Sequence, residues 1–148
     1  MGDDGRLYIP EDEVPVYKSH LRSADLILPN QFEAELLSDV SIKDLPSLGT
    51  AIQTLHRVHQ IPHIVITSLR FTESGNTVPY ASEYEAKTLT IVGSTATSDF
   101  SPRLWRVDVP AFPVFFSGTG DMFAALMVAR LREAVGRAGV GKTSRWLS

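Results

Sequence analysis

The chain has no cysteine among its 148 residues. A disulfide framework and a thiolate metal site are both excluded. No apolar run approaches the roughly 20 residues that a membrane-spanning helix needs, so no membrane partner is expected. Positive charge is not in excess. The 14 Lys and Arg stand against 17 Asp and Glu, a net charge of −3, which speaks against nucleic acid as a main partner. The first residues, Met1-Gly2-Asp3-Asp4-Gly5, lack the basic and apolar front of a secretory leader. A cytoplasmic location is the expectation. Internal repeats and coiled-coil heptads are missing too.

What is present is an ordinary globular composition, 43% apolar and 21% charged, long enough for one domain with a sizeable core. Val14, Tyr17 and Leu21 recur at helical spacing in Glu11 to Leu21, where Pro15 fits only near a helix start. Ala24 to Leu28 reads as a short buried strand closed by Pro29-Asn30. A helix follows over Gln31 to Leu37, with Phe32, Leu36 and Leu37 on one face and Ala34 between. A second spans Asp44 to Gln60, with Leu45, Leu48, Ile52, Leu55 and His59 as its inner side. His63 to Thr67 is too short for a helix and rich in branched residues, hence another buried strand.

Strand, helix, helix, strand predicts an α/β sheet covered by helices. The chain is polar from Thr72 to Tyr84. Thr88 to Val92 and Leu104 to Val109 then read as edge or hairpin strands, joined by a mobile Ser/Thr-rich loop over Gly93 to Ser101. Leu7 to Ile9 and Val114 to Phe116 are further short extended segments, and Thr119 to Ala134 is the last helix. These strands are too few for a full doubly wound sheet. A fragment of a longer chain is the expectation.

Three places carry candidate chemistry. In Ser117-Gly118-Thr119-Gly120-Asp121, two glycines and small residues lead into a helix. Such a turn points backbone N–H groups and the positive helix end at one spot, which suits a phosphate. A carboxylate there repels the anion, so Asp121 reads as a base acting on whatever attacks the phosphate. Asn30 and Glu33 stand three apart just beyond a strand. An amide oxygen and a carboxylate suit Mg²⁺ or its waters, and equally form a helix capping box. Thr67 and Ser68 close a strand, where hydroxyls either contact phosphate or satisfy a turn.

Decoys accompany them. Asp3-Asp4 reads as a metal pair or as a solvated acidic loop. His56, His59 and His63 imitate a zinc cluster, but no carboxylate or cysteine completes it, so they are core or surface histidines. Gly136 to Thr143 spells G-x-x-x-x-G-K-T. A phosphate-binding loop of that type follows a strand and opens a helix. Here a helix precedes it and only five residues follow.

Taken together, Asp25 to Leu37, Val65 to Ser68 and Ser117 to Asp121 resemble the pyridoxal kinase family of the ribokinase-like fold. The resemblance covers residues 1 to 135 and looks like the second half of such a kinase. It implies part of a three-layer α/β fold, the C-terminal, nucleotide-binding portion of the domain. It also implies ATP-dependent phosphorylation of the 5'-hydroxymethyl group of pyridoxal, pyridoxine or pyridoxamine. Asp121 matches the family's catalytic base, and Gly118, Thr119 and Gly120 its anion hole. Asn30 and Glu33 match the pair supporting Mg²⁺ through water and phosphate. Asp3, Asn30, Thr67, Ser68 and Thr119 match nucleotide-side positions, and Val107 to Phe115 the segment lining the adenine pocket. Leu28 replaces a Thr that vertebrate-like members associate with a monovalent cation, which bears on potassium. The family further implies a homodimer for the full-length protein. A hydroxymethylpyrimidine kinase is the nearest alternative. A partner-binding remnant without turnover is the alternative of another class.

Overall fold

The computed structural model describes residues 13–72, 75–77, 88–111 and 118–137. They belong to two compact units, Met1–Ala111 and Phe112–Ser148.

The first unit runs α1 (Val14–His20), a 3-10 turn at Leu21–Ser23, β1 (Leu26–Ile27), α2 (Gln31–Ser38), α3 (Leu45–His59), β2 (His63–Leu69), β3 (Thr88–Ala96) and β4 (Pro102–Pro110). The strands form one sheet in the order β1-β2-β3-β4. β1 and β2 are parallel, joined through α2 and α3, and the other two pairings are antiparallel.

Local chemistry sets the helix ends. Asp44 caps α3, accepting from the Ser47 N–H while the Ser47 hydroxyl accepts from the Asp44 N–H. Pro46 lies in the first turn, where a missing N–H costs nothing. Both α2 and α3 stop at a left-handed residue, Asp39 at φ 57° and Gln60 at φ 56°. Asp39 also receives Lys18 of α1 at 2.7 Å.

The core lies between α2, α3 and one face of the sheet. Ile64 and Ile66 alternate inward from β2 and meet Ala34, Leu48, Ala51, Ile52 and Leu55, with Ile27 and Val92 beside them. Burying each such side chain contributes about 2 kcal/mol. The inward side of α3 differs from the expected stripe. Leu45 is exposed, and His56 rather than His59 is buried. On α2 the buried residues are Ala34 and Ser38, both small.

The first four residues of the expected loop over Gly93 to Ser101 are strand. β3 continues to Ala96 and pairs with β4 over nine residue pairs. Ser94 and Thr95 gain partners there that a loop would not offer: their hydroxyls meet His56 and His63. Only residues 97–101 turn, held by Thr97 N–H to Ser101 O at 2.9 Å and Phe100 N–H to Thr97 O at 3.0 Å. Asp99 takes bonds from the Thr97 and Ser101 hydroxyls, which hold its carboxyl down to about 2. β2 is likewise longer than expected and extends to Leu69. The segments Leu7 to Ile9 and Val114 to Phe116 lie outside the described residues.

The second unit is described as Gly118 followed by α4 (Thr119–Arg137). Among the described residues no helix is long and apolar enough to cross a membrane.

Candidate active site

The first unit gathers its chemistry at the carboxyl ends of β1 and β2, where open α/β sheets hold ligands. Beyond β1 the Pro29 carbonyl accepts the Thr67 N–H at 3.0 Å, and Asn30 bridges Thr67 in parallel. These two expected site residues therefore sit side by side.

Asn30 is also the N-cap of α2. Its Oδ1 accepts the Glu33 N–H, and its own N–H donates to Glu33 Oε2, both at 2.9 Å. The capping box is thus complete. It fixes the Glu33 carboxylate while Oε1 takes no part in the box. One anchored carboxylate at a helix start, with an amide beside it, fits a hydrated Mg²⁺ held through water better than a fully stripped ion. Among the described residues no three His, Asp or Glu approach closely enough to cage a metal alone.

Thr67 and Ser68 lie on a bulge. Ile66 pairs with Val92 and Leu69 with Thr90, so two residues of β2 stand against Ile91. Ser68 adopts φ 60°, a left-handed conformation that costs a serine roughly 1 kcal/mol. The bulge turns Ser68 out of the ladder, and its side chain is exposed.

In the second unit Gly118 has φ 81°, which an L side chain resists. Its carbonyl accepts the Met122 N–H at 3.1 Å. The chain turns there into α4, whose first N–H groups lack helical partners and carry partial positive charge. Asp121 lies in this first turn. Asp3 and the residues from 112 to 115 of the expected adenine segment lie outside the described residues, and Val107 to Pro110 belong to β4.

The remaining candidates separate cleanly. Gly136 lies inside α4 rather than after a strand, unlike the first glycine of a phosphate-binding loop; residues 138–148 lie outside the described residues. His56 is fully buried. Its Nδ1 meets the Ile61 carbonyl at 2.6 Å, which can only accept, so Nδ1 carries the proton and Nε2 accepts from the Ser94 hydroxyl at 2.7 Å. Burial pushes its pKa below the ordinary histidine value, with the Ile61 carbonyl opposing. Sequence reasoning did not find the clamp that steadies α2. Gln31 Nε2 donates to Ile42 O at 3.0 Å and Ile42 N–H donates to Glu35 Oε1 at 2.7 Å. The four-residue spacing of Gln31 and Glu35 was the available signal.

No family model matches the chain. Individual proteins do. The human pyridoxal kinase is 37% identical over 133 residues, which is 85% of this chain and 39% of that protein. The structure of pyridoxal kinase from Leishmania donovani in complex with ADP superposes with a TM-score of 0.71 at 35% identity, covering 87% of this chain and 39% of that one. The same enzyme in complex with ADP and pyridoxamine gives 0.69 at 37%. A Bacteroides thetaiotaomicron structure described as a phosphomethylpyrimidine kinase, with pyridoxal, gives 0.66 at 25%, covering 90% of this chain and 43% of that one. The chain therefore resembles the pyridoxal kinases in sequence and in ribokinase-like fold, and spans about two fifths of their length.

Proposed function

We propose that this chain, similar to pyridoxal kinases along most of its length, is the nucleotide-side portion of an ATP-dependent kinase. The reaction is phosphorylation of the 5'-hydroxymethyl group of pyridoxal, and of pyridoxine and pyridoxamine. The observation that carries this is the coincidence of two things. The runs that resemble the family in sequence include Asn30 to Glu33 and Thr67-Ser68, and the first unit brings Asn30 beside Thr67 at the sheet's carboxyl edge.

In this reading Asp121 accepts the proton of the substrate hydroxyl as its oxygen attacks the γ-phosphorus of ATP. The terminal phosphate moves to that oxygen and ADP leaves. The N–H groups of Gly118, Thr119 and Gly120 receive the charge that builds on the phosphoryl oxygens. Thr67 and Ser68 hold the nucleotide phosphates by their hydroxyls, with Thr119, Asn30 and Asp3 also on the nucleotide side. Glu33 and Asn30 hold waters of a Mg²⁺ ion, which when bound offsets phosphate charge. Leu28 supplies no side-chain oxygen, so a potassium ion gains no side-chain ligand at that position. A cytoplasmic homodimer is the form proposed for the full-length protein.

The pyrimidine alternative is favoured by the Bacteroides structure. The reading without turnover, a partner-binding remnant, is the alternative of another class. Steady-state assays of the longest protein carrying this sequence decide among the three. Pyridoxal should turn over better than hydroxymethylpyrimidine, and the reverse order overturns the assignment. Asp121→Asn should lower turnover by about 10²–10⁴-fold while nucleotide binding survives. Near-normal turnover in that variant would leave Asp121 as a helix-start residue only.

A further inference from the structure

The backbone of Ile42, in the loop between α2 and α3, has its polar groups taken by side chains brought from elsewhere. Its N–H donates to Glu35 Oε1 at 2.7 Å. Its carbonyl accepts Gln31 Nε2 at 3.0 Å and the Thr77 hydroxyl at 2.8 Å. The Ile42 side chain is 1% exposed, so this point of the loop is held by backbone and side chain together. Thr77 is fixed in turn. Its N–H donates to the Lys43 carbonyl at 2.7 Å, and it bridges Phe71, just beyond β2. Ile42 is therefore where α2 meets the chain that leaves the Ser68 bulge.

The helix geometry of α2 gives this node a use. At about 100° per residue, Ala34, Ser38, Gln31 and Glu35 fall in that order along one side of the helix. Ala34 and Ser38 are buried, but their short side chains give little leverage against rotation of the helix about its axis. Glu35 stands at the edge of that stripe and makes a directional, charge-assisted bond to a fixed backbone N–H. Glu33 lies roughly 160° round the helix from Glu35. We propose that Glu35 is a positioning residue: its grip on Ile42 sets the rotation of α2, and so the direction in which the Glu33 carboxylate, anchored on the Asn30 N–H, meets the waters of a hydrated Mg²⁺ ion. This rests on the metal role proposed for Glu33. Glu35 faces away from that side and acts only through the helix. What it supplies is an oxygen at the right reach, not its negative charge.

Two substitutions in the longest protein carrying this sequence separate reach from charge. Glu35→Asp keeps the charge and withdraws the carboxylate by one methylene. Glu35→Gln loses the charge and keeps an oxygen for the Ile42 N–H. Mg²⁺ is titrated calorimetrically against the ADP-bound protein, and the Mg²⁺ dependence of turnover is followed beside it. Glu35→Asp should weaken Mg²⁺ about tenfold, the low end of what losing a group that orients a metal ligand costs, with KM for pyridoxal unchanged. Glu35→Gln should stay close to the unaltered protein. Without metal or nucleotide, Glu35→Asp should also speed amide hydrogen exchange at Ile42 and at Glu33. Gly93→Ala, which destabilises through β3, should change neither readout. A larger loss in Glu35→Gln than in Glu35→Asp overturns the proposal in favour of charge. An equal loss in Gly93→Ala overturns it in favour of general destabilisation. Glu33→Gln is measured alongside. If it weakens Mg²⁺ and Glu35→Asp does not, the role of Glu35 falls and that of Glu33 stands. If it leaves Mg²⁺ binding unchanged, both fall. In the Glu33→Gln background Glu35→Asp should weaken Mg²⁺ no further, and a full additional loss there overturns action through Glu33.

Discussion

His56 shows how much one buried side chain ties together. It closes α3 onto the start of β2 through the Ile61 carbonyl and onto β3 through Ser94. Burial favours its neutral form and lowers its pKa from the ordinary 6.5. His63 and His59 are lowered by burial as well, and the neighbouring His56 adds to the lowering at His63. The unfolded chain therefore binds more protons below pH 6.5 than the folded one. Stability should be fully present above pH 6.5 and should fall as pH drops below it. Urea titrations from pH 8 to pH 5 measure this. His56→Gln should cost about 1–3 kcal/mol at pH 8, through unmade bonds in a dry place, and its stability should decline less on acidification. An unchanged slope in that variant would assign the acid sensitivity to other groups. The sequence sets His56, His59 and His63 close together, with no carboxylate or cysteine to complete a zinc set. It could not say which faced inward, because His56 and His59 are both compatible with a helical stripe and only the position of β3 chooses between them. Asn30 and Glu33 were legible for the opposite reason: a capping box is made within four residues, so spacing alone specifies it.

Among the elements, the β3–β4 hairpin is where reading from composition went furthest astray. Gly, Ser and Thr between Val92 and Pro102 suggest a loop, yet pairing with β4 outweighs that weak local preference. Gly93 has a specific reason to be there. It pairs with Trp105, and a Cβ built at Gly93 would lie 2.0 Å from the indole ring. The indole covers a place where no side chain fits. Gly93→Ala should therefore cost about 1–3 kcal/mol as the ring is displaced, read as a lower denaturation midpoint. In a Trp105→Val background, where the smaller side chain leaves room, most of that cost should vanish. Additive costs in the double variant would show that Gly93 is needed for its backbone and not for the space beneath the ring. The helices were easier to read, since Asn30, Asp44 and Pro46 mark their starts by local chemistry. Strand β1 was legible in place but not in extent. Only Leu26 and Ile27 pair as a ladder, and the rest of the apolar run turns toward the Asn30 bridge.

At the scale of the whole molecule, the groups assigned to phosphate divide between the two units. Asn30, Glu33, Thr67 and Ser68 belong to the first, and Gly118, Thr119, Gly120 and Asp121 to the second. Dispersed groups bind a nucleotide well only when the fold holds them within fractions of an ångström, because preorganisation supplies much of their value. A chain spanning 39% of its relatives' length contains only part of the burial that stabilises the complete fold. The 148-residue chain alone should therefore bind Mg·ATP weakly, and calorimetric titration measures it. Lys142 provides the internal control. It completes the G-x-x-x-x-G-K-T spelling, whose first glycine lies within α4. If phosphate is held at the start of α4, Lys142→Ala should leave the weak affinity unchanged, while Gly118→Val, strained at φ 81°, should abolish it. Low-micromolar binding by the unaltered chain would mean that these 148 residues already build a complete nucleotide site. Loss of binding on removing Lys142 would assign the phosphate to the Gly136 to Thr143 run in place of the start of α4.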